Sequence, residues 1–204
     1  MISRNCENNV NLIGTLVEPF IPMAESDYGA RVLKSTIEVK RLSGKSDILP
    51  IQVWADVVEG KELSRVEIIG EFRSHNITED GARRHLLNVW VKEINPASED
   101  VEDKNEIVFD GYICKQTVYR LVPSGYGITD VHVAINRAYK SDYIPCIAWN
   151  ENAGKLADAE IGTHVSVSGR IQSREYTKDG ITRTAYEVSI NEYSELEDSN
   201  EQSN

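Results

Sequence analysis

Lys45-Ser46-Asp47-Ile48-Leu49-Pro50-Ile51-Gln52-Val53-Trp54 recurs further along the chain as Lys140-Ser141-Asp142-Tyr143-Ile144-Pro145-Cys146-Ile147-Ala148-Trp149. The likeness extends on both sides. Val10-Asn11-Leu12-Ile13-Gly14 answers to Ile107-Val108-Phe109-Asp110-Gly111, and Ile37-Glu38-Val39-Lys40-Arg41 to Val133-Ala134-Ile135-Asn136-Arg137. Val66-Glu67-Ile68-Ile69-Gly70 answers to Val165-Ser166-Val167-Ser168-Gly169, and each of these glycines is followed by an Asp-Gly pair, Asp80-Gly81 and Asp179-Gly180. Correspondences in one order at a nearly constant offset mark an internal repeat, and a repeat decides the fold before any single segment does.

The second copy reads mostly as strand. Residues 164–176 and 182–193 alternate with period two and are rich in Val, Ile, Thr and Tyr, joined by a turn at Asp179-Gly180. Residues 107–114, 128–136 and 143–149 are strand-like too, and the one helical candidate is Asn152 to Ala159. Five strands with a short helix between the third and fourth is the plan of an OB barrel. The first copy repeats it with a helix reduced to roughly Val57–Leu63. The expected fold is all-β: two tandem five-stranded Greek-key OB barrels, each with at most one short helix. The expected division is 1–96, an acidic linker at 97–106, 107–193, and a disordered acidic tail at 194–204.

The net charge of −11 argues against a nucleic-acid ligand until its distribution is read. Residues 97–106 and 194–204 carry −4 each, whereas 1–96 carries −2 and 107–193 carries −1. Local grooves rather than the total decide phosphate binding. The N-terminus lacks the apolar core of a signal peptide, and no apolar run approaches a membrane span. A cytoplasmic, nucleoid-associated protein is expected. Cys6, Cys114 and Cys146 are scattered and odd in number, without a C-x-x-C pair, so neither a disulfide framework nor a thiolate zinc site is expected. The four histidines show no ligand spacing and no nucleophile partner, and Gly125-Tyr126-Gly127 lacks what a phosphate loop needs. No catalytic residue, metal or cofactor is expected.

Single strands are held by aromatic faces interleaved with cations. Arg137, Tyr139, Lys140 and Tyr143 surround the loop between the second and third strands of the second copy. Arg170, Gln172, Arg174 and Tyr176 alternate along its fourth strand and should share a solvent-facing side. Trp149 has the parity of Tyr143, Pro145 and Ile147, which leaves core and stacking platform both open. In the first copy the row becomes Glu71, Arg73, His75 and Ile77, a poorer groove. Lys40, Arg41, Lys45, Arg73 and Trp54 remain as candidates for a lesser contact.

Val133-Ala-Ile-Asn-Arg137, Ser141-Asp-Tyr-Ile-Pro-Cys-Ile-Ala-Trp149, Asn152-Ala-Gly-Lys-Leu156 and Val165-Ser-Val-Ser-Gly-Arg-Ile-Gln-Ser-Arg-Glu-Tyr176 together resemble the bacterial single-stranded DNA-binding proteins. The resemblance covers 107–193; residues 9–96 follow through the repeat. It implies sequence-independent binding of single-stranded DNA in replication, repair or recombination, and assembly of four OB folds, here a homodimer. It also implies contacts through Arg137, Tyr139, Tyr143, Trp149, Arg170, Arg174 and Tyr176. Family members often recruit replication or repair proteins through an acidic tail with an apolar tip, and this sequence closes Glu201-Gln202-Ser203-Asn204 without one. The competing reading is an OB-fold protein-interaction module in a replication-restart or mobile-element complex.

Overall fold

The computed structural model describes residues 6–23, 31–79, 81–178 and 180–197. Asp80, Asp179 and the tail from Asp198 lie outside the described residues. The first copy contains β1 (Asn8–Leu16), β2 (Ile21–Pro22), β3 (Val32–Lys40), β4 (Ser46–Trp54), α1 (Ala55–Val58), β5 (Arg65–Glu79) and β6 (Ala82–Pro96). Their order is β2-β3-β4-β6-β5-β1, with β1 returning to pair with β3. Setting aside the two-residue edge strand β2, this is the closed Greek key of an OB barrel. The parallel pair Ile51↔Val89 and Gln52↔Trp90 joins β4 to β6. Leu49, Ile51 and Val53 of β4 alternate inward with Ile37 and Val39 of β3 and Val66 and Ile68 of β5, as period-two packing requires.

The second copy repeats the pattern with β7 (Lys104–Ile113), β8 (Val118–Leu121), β9 (Gly127–Asn136), β10 (Ser141–Trp149), α2 (Asn150–Leu156), β11 (His164–Lys178) and β12 (Ile181–Glu195). The order is β7-β11-β12-β10-β9-β8, closed by β7 on β9. Phe109, Val133, Ile135, Ile144, Val167 and Val188 form its core. The glycines shared by the copies have a steric reason. A Cβ on Gly70 would overlap the carbonyl oxygen of Trp90, and one on Gly169 that of Ser189. At both sites a neighbouring strand comes too close for a side chain.

Both helices start earlier than the sequence suggests, immediately after Trp54 and Trp149. α1 stops at Val58, two residues before Gly60 with its φ of 71°, and α2 ends at Leu156 rather than Ala159. The segment read as a linker is partly ordered. Asp103 pairs with Arg65 at 2.7 Å and accepts the backbone N–H of Lys40, and β7 already begins at Lys104. At the other end β12 runs to Glu195, and the N–H of Leu196 donates to the carbonyl of His164.

Contacts divide the chain into two compact units that do not coincide with the two copies at every segment. One comprises Asn9–Ile107 together with Ile171–Tyr186, the outer arm of the β11–β12 hairpin. Among the described residues, the other comprises 108–170 and 187–197 together with 6–8. Within the first, Asn105 brackets Ile171, donating Nδ2–H to its carbonyl at 2.7 Å and accepting its N–H at 2.9 Å. Within the second, Cys6 donates its N–H to the Asn136 carbonyl at 2.9 Å.

Candidate nucleic-acid interface

Strand parity on β10 settles where Trp149 lies. Asp142, Ile144, Cys146 and Ala148 are buried, so Tyr143, Pro145, Ile147 and Trp149 make up the opposite row, in which Ile147 is covered while Tyr143 and Trp149 stay open. Tyr143 is 47% exposed and Trp149 39%. The tryptophan therefore sits on the outer face and not in the barrel core. At the β9–β10 hairpin Tyr139 is fully exposed, and Lys140 beside it is exposed as well. The second unit thus presents three aromatic rings and one unburied ammonium on one hairpin and strand. Aromatic surface with an adjacent cation is what base stacking and phosphate attraction need.

The arginine of the same hairpin is engaged otherwise. Arg137 Nε lies 2.6 Å from Asp142 Oδ2, and the Asp142 side chain has no exposed surface. The first copy has the same pair: Arg41 donates Nε–H to Asp47 Oδ2 at 2.7 Å, and Asp47 is equally buried. Bonding to Asp47 raises the Arg41 pKa beyond its ordinary value against the opposing effect of burial. A carboxylate in core register is costly unless paired and hydrogen-bonded. Both arginines, expected as DNA contacts, neutralise a buried aspartate.

In the first unit Trp54 meets Trp90 edge to face, with centroids 5.1 Å apart. The Arg73 guanidinium lies 4.9 Å from the Trp90 ring centroid and 2.7 Å from Glu71, which also takes Lys92 at 2.5 Å. Lys92 is the extra residue of a bulge, since Ile69 pairs with Glu93 and Gly70 with Val91, and bulges re-aim side chains in this way. Burial pushes the Glu71 carboxyl up, but bonds from Lys92 and Arg73 and their charges outweigh it and hold it below the usual range. One acid therefore occupies two cations next to the aromatic pair. An open groove of about 760 Å³ beside Trp54 is lined, among the described residues, by Pro22, Arg31, Leu33, Ala55, Val58, Asp56 and Glu59, two carboxylates against one cation. Lys40 and Lys45 are exposed at the β3–β4 hairpin.

The expected row on β11 does not face solvent throughout. Gln172 is buried at 8% exposure and Arg170 is half-buried. The backbone at Ile171 is held by Asn105, and Ser173 donates its N–H to Asp47 Oδ1 at 2.9 Å. This stretch therefore packs instead of lining a groove. Only its outer part is open: Arg174 and Tyr176 are exposed, with the guanidinium 6.0 Å from the ring centroid, and both count with the first unit. Of the residues expected from sequence, Tyr139, Lys140, Tyr143 and Trp149 are gathered in one unit. Trp54, Arg73, Arg174, Tyr176, Lys40 and Arg41 belong to the other. Trp90 and the exposed Arg83 and Arg84 of the β5–β6 hairpin were not singled out. The bulge at Lys92 breaks the alternation that would have placed Trp90 on the outer face.

Residues 104–196 match the single-strand binding protein family. Single-stranded DNA-binding protein 3 of Streptococcus agalactiae is 35% identical over 80 residues, covering 35% of this chain and 58% of that one. A single-stranded DNA-binding protein of Streptococcus pyogenes is also 35% identical over 80 residues, covering 35% of this chain and 49% of that one. The chain thus spans about half the length of these relatives. The fold likeness to a single-strand binding protein reaches further. The wild-type single-stranded DNA binding protein of Thermus aquaticus superposes with a TM-score of 0.80 at 18% identity, over 98% of each chain. A deletion mutant of it gives 0.77, also at 18% identity, over 98% of this chain and 99% of that one. At that identity the agreement concerns the tandem OB architecture alone.

Proposed function

We propose that this chain binds single-stranded DNA without sequence preference, in replication, repair or recombination. The observation that carries the reading is the exposed set Tyr139, Lys140, Tyr143 and Trp149 on the family-matching copy. Bases stack on the rings at about 1–3 kcal/mol each, and cations add salt-sensitive phosphate contacts. Arg174 with Tyr176, and Trp54 with Trp90 and Arg73, are the proposed contacts of the other unit. Lys40 contributes by charge, Arg170 makes at most a partial contact, and Arg41 and Arg137 act mainly by holding their hairpins. The relatives' names as single-stranded DNA-binding proteins support the ligand. The activity is binding rather than catalysis, the assembly is a homodimer of four OB barrels, and the setting is the cytoplasm. Replication or repair proteins are its proposed partners.

The test is a titration of tryptophan fluorescence with oligo-dT and with matched duplex at two salt concentrations. Quenching by the single strand alone, weakening as salt rises, supports the proposal. No response to either, with a negative gel shift, overturns it. Sedimentation of the free protein distinguishes dimer from monomer.

A further inference from the structure

Cys6, Asp110 and His164 are far apart in sequence but meet at the start of β1. One potential ligand atom from each lies within 4.8 Å of the others. From this geometry we infer a zinc site that clasps the segment before β1 onto β7 and β11. The three donors are already positioned by other bonds. Cys6 is anchored by its N–H to the Asn136 carbonyl, and Asp110 donates its N–H to the Glu7 carbonyl at 3.2 Å. The Glu7 N–H donates to Asp110 Oδ1, which leaves Oδ2 turned to His164 Nε2 at 3.0 Å. Tyr112 stacks on the imidazole, with centroids 4.4 Å apart and planes 13° from parallel, fixing the ring.

Thiolate, imidazole and carboxylate together suit zinc better than magnesium or calcium, which take oxygen ligands. Ligands of a tetrahedral zinc with bonds of about 2.0–2.3 Å stand roughly 3.3–3.8 Å apart, so side-chain movements of roughly 1 Å complete the site. On binding, the Cys6 thiol releases its proton to solvent. His164 coordinates through Nε2 as neutral imidazole with its proton on Nδ1, and water takes the fourth position. One thiolate and one carboxylate cancel the two charges of the ion, which suits a site where His164 is buried. The bond from Glu7 to Oδ1 is the kind of outer contact that orients a ligating carboxylate.

Chelator-treated protein titrated with Co(II) tests the assignment. The expected result is one equivalent bound, with tetrahedral d–d bands and a thiolate-to-cobalt charge-transfer band, both removed by added Zn(II). Cys6→Ser abolishes the charge-transfer band, and Cys114→Ser retains it. Zn(II) raises the melting temperature of the parent and not that of Cys6→Ser. Absence of the charge-transfer band in the parent, or its survival in Cys6→Ser, overturns the inference. Should circular dichroism show Cys6→Ser to be unfolded, His164→Gln decides: loss of the tetrahedral bands supports the site, and their persistence overturns it.

Discussion

Asp142 is shut away from solvent and its carboxylate meets the Arg137 guanidinium at 2.6 Å. This pair predicts that Arg137 matters more for stability than for affinity. Removing one member of a buried ion pair typically costs about 3–5 kcal/mol, and the partial exposure of Arg137 places Arg137→Gln at or below the lower end. Urea unfolding should show a loss of about 2–3 kcal/mol, while binding to oligo-dT by the remaining folded protein changes little. Equal stability with weaker binding would return Arg137 to the DNA surface.

Tyr139 and Lys140 should behave in the opposite way. Both are exposed at the hairpin tip. Tyr139→Ala should weaken oligo-dT binding by about 1–3 kcal/mol with no shift in the unfolding midpoint. Lys140→Ala should lower the slope of log affinity against log salt by about 0.7, as one phosphate contact on a single strand requires.

Glu71→Gln should release Arg73 and Lys92 from the acid that holds both. The expected outcome is tighter binding at low salt and a steeper salt dependence, by about 0.7 per freed phosphate contact. Fluorescence titrations over a salt series read both effects. An unchanged slope would mean that neither cation reaches a phosphate.

The same carboxyl carries a pH signature. Its pKa in the folded protein lies below the ordinary carboxyl value, so its stabilising contribution is fully present above the unfolded-state pKa, near 4.3. That contribution disappears as pH falls through the lower folded value. The parent should therefore lose stability on acidification through this range more steeply than Glu71→Gln, as followed by thermal melts at successive pH values.

Gly169→Ala should destabilise the second barrel by about 1–3 kcal/mol, the usual range for overpacking, because its Cβ would meet the Ser189 carbonyl. Chemical denaturation measures the loss. Gly125→Ala tests a different strain: open space surrounds that residue, but its φ is 85°.

The barrels were legible because duplication, period-two alternation and the paired glycines all agree. Much of the hairpin chemistry was legible in principle too. Asp142 shares the parity of Ile144, Cys146 and Ala148, so a carboxylate had to enter the core there and needed a cation, which Arg137 provides. Reading Arg137 only as a surface cation missed that demand. Alternation could not place Trp149, because both faces of β10 carry apolar side chains: Ile147, itself buried, and Trp149 lie on one, Ile144 and Cys146 on the other. The backbone at Ile171 is held by Asn105, a residue 66 positions away in the sequence, and Cys6, Asp110 and His164 are likewise joined only by folding.

The way the compact units share the chain bears on how this gene can be divided. A fragment begun at Val108 would discard Cys6–Asn8, which complete its own unit, and would carry Ile171–Tyr186 stripped of Asp47 and Asn105, the side chains that hold it. A protease cut at the acidic stretch is therefore expected to yield two pieces that stay associated until denaturant separates them.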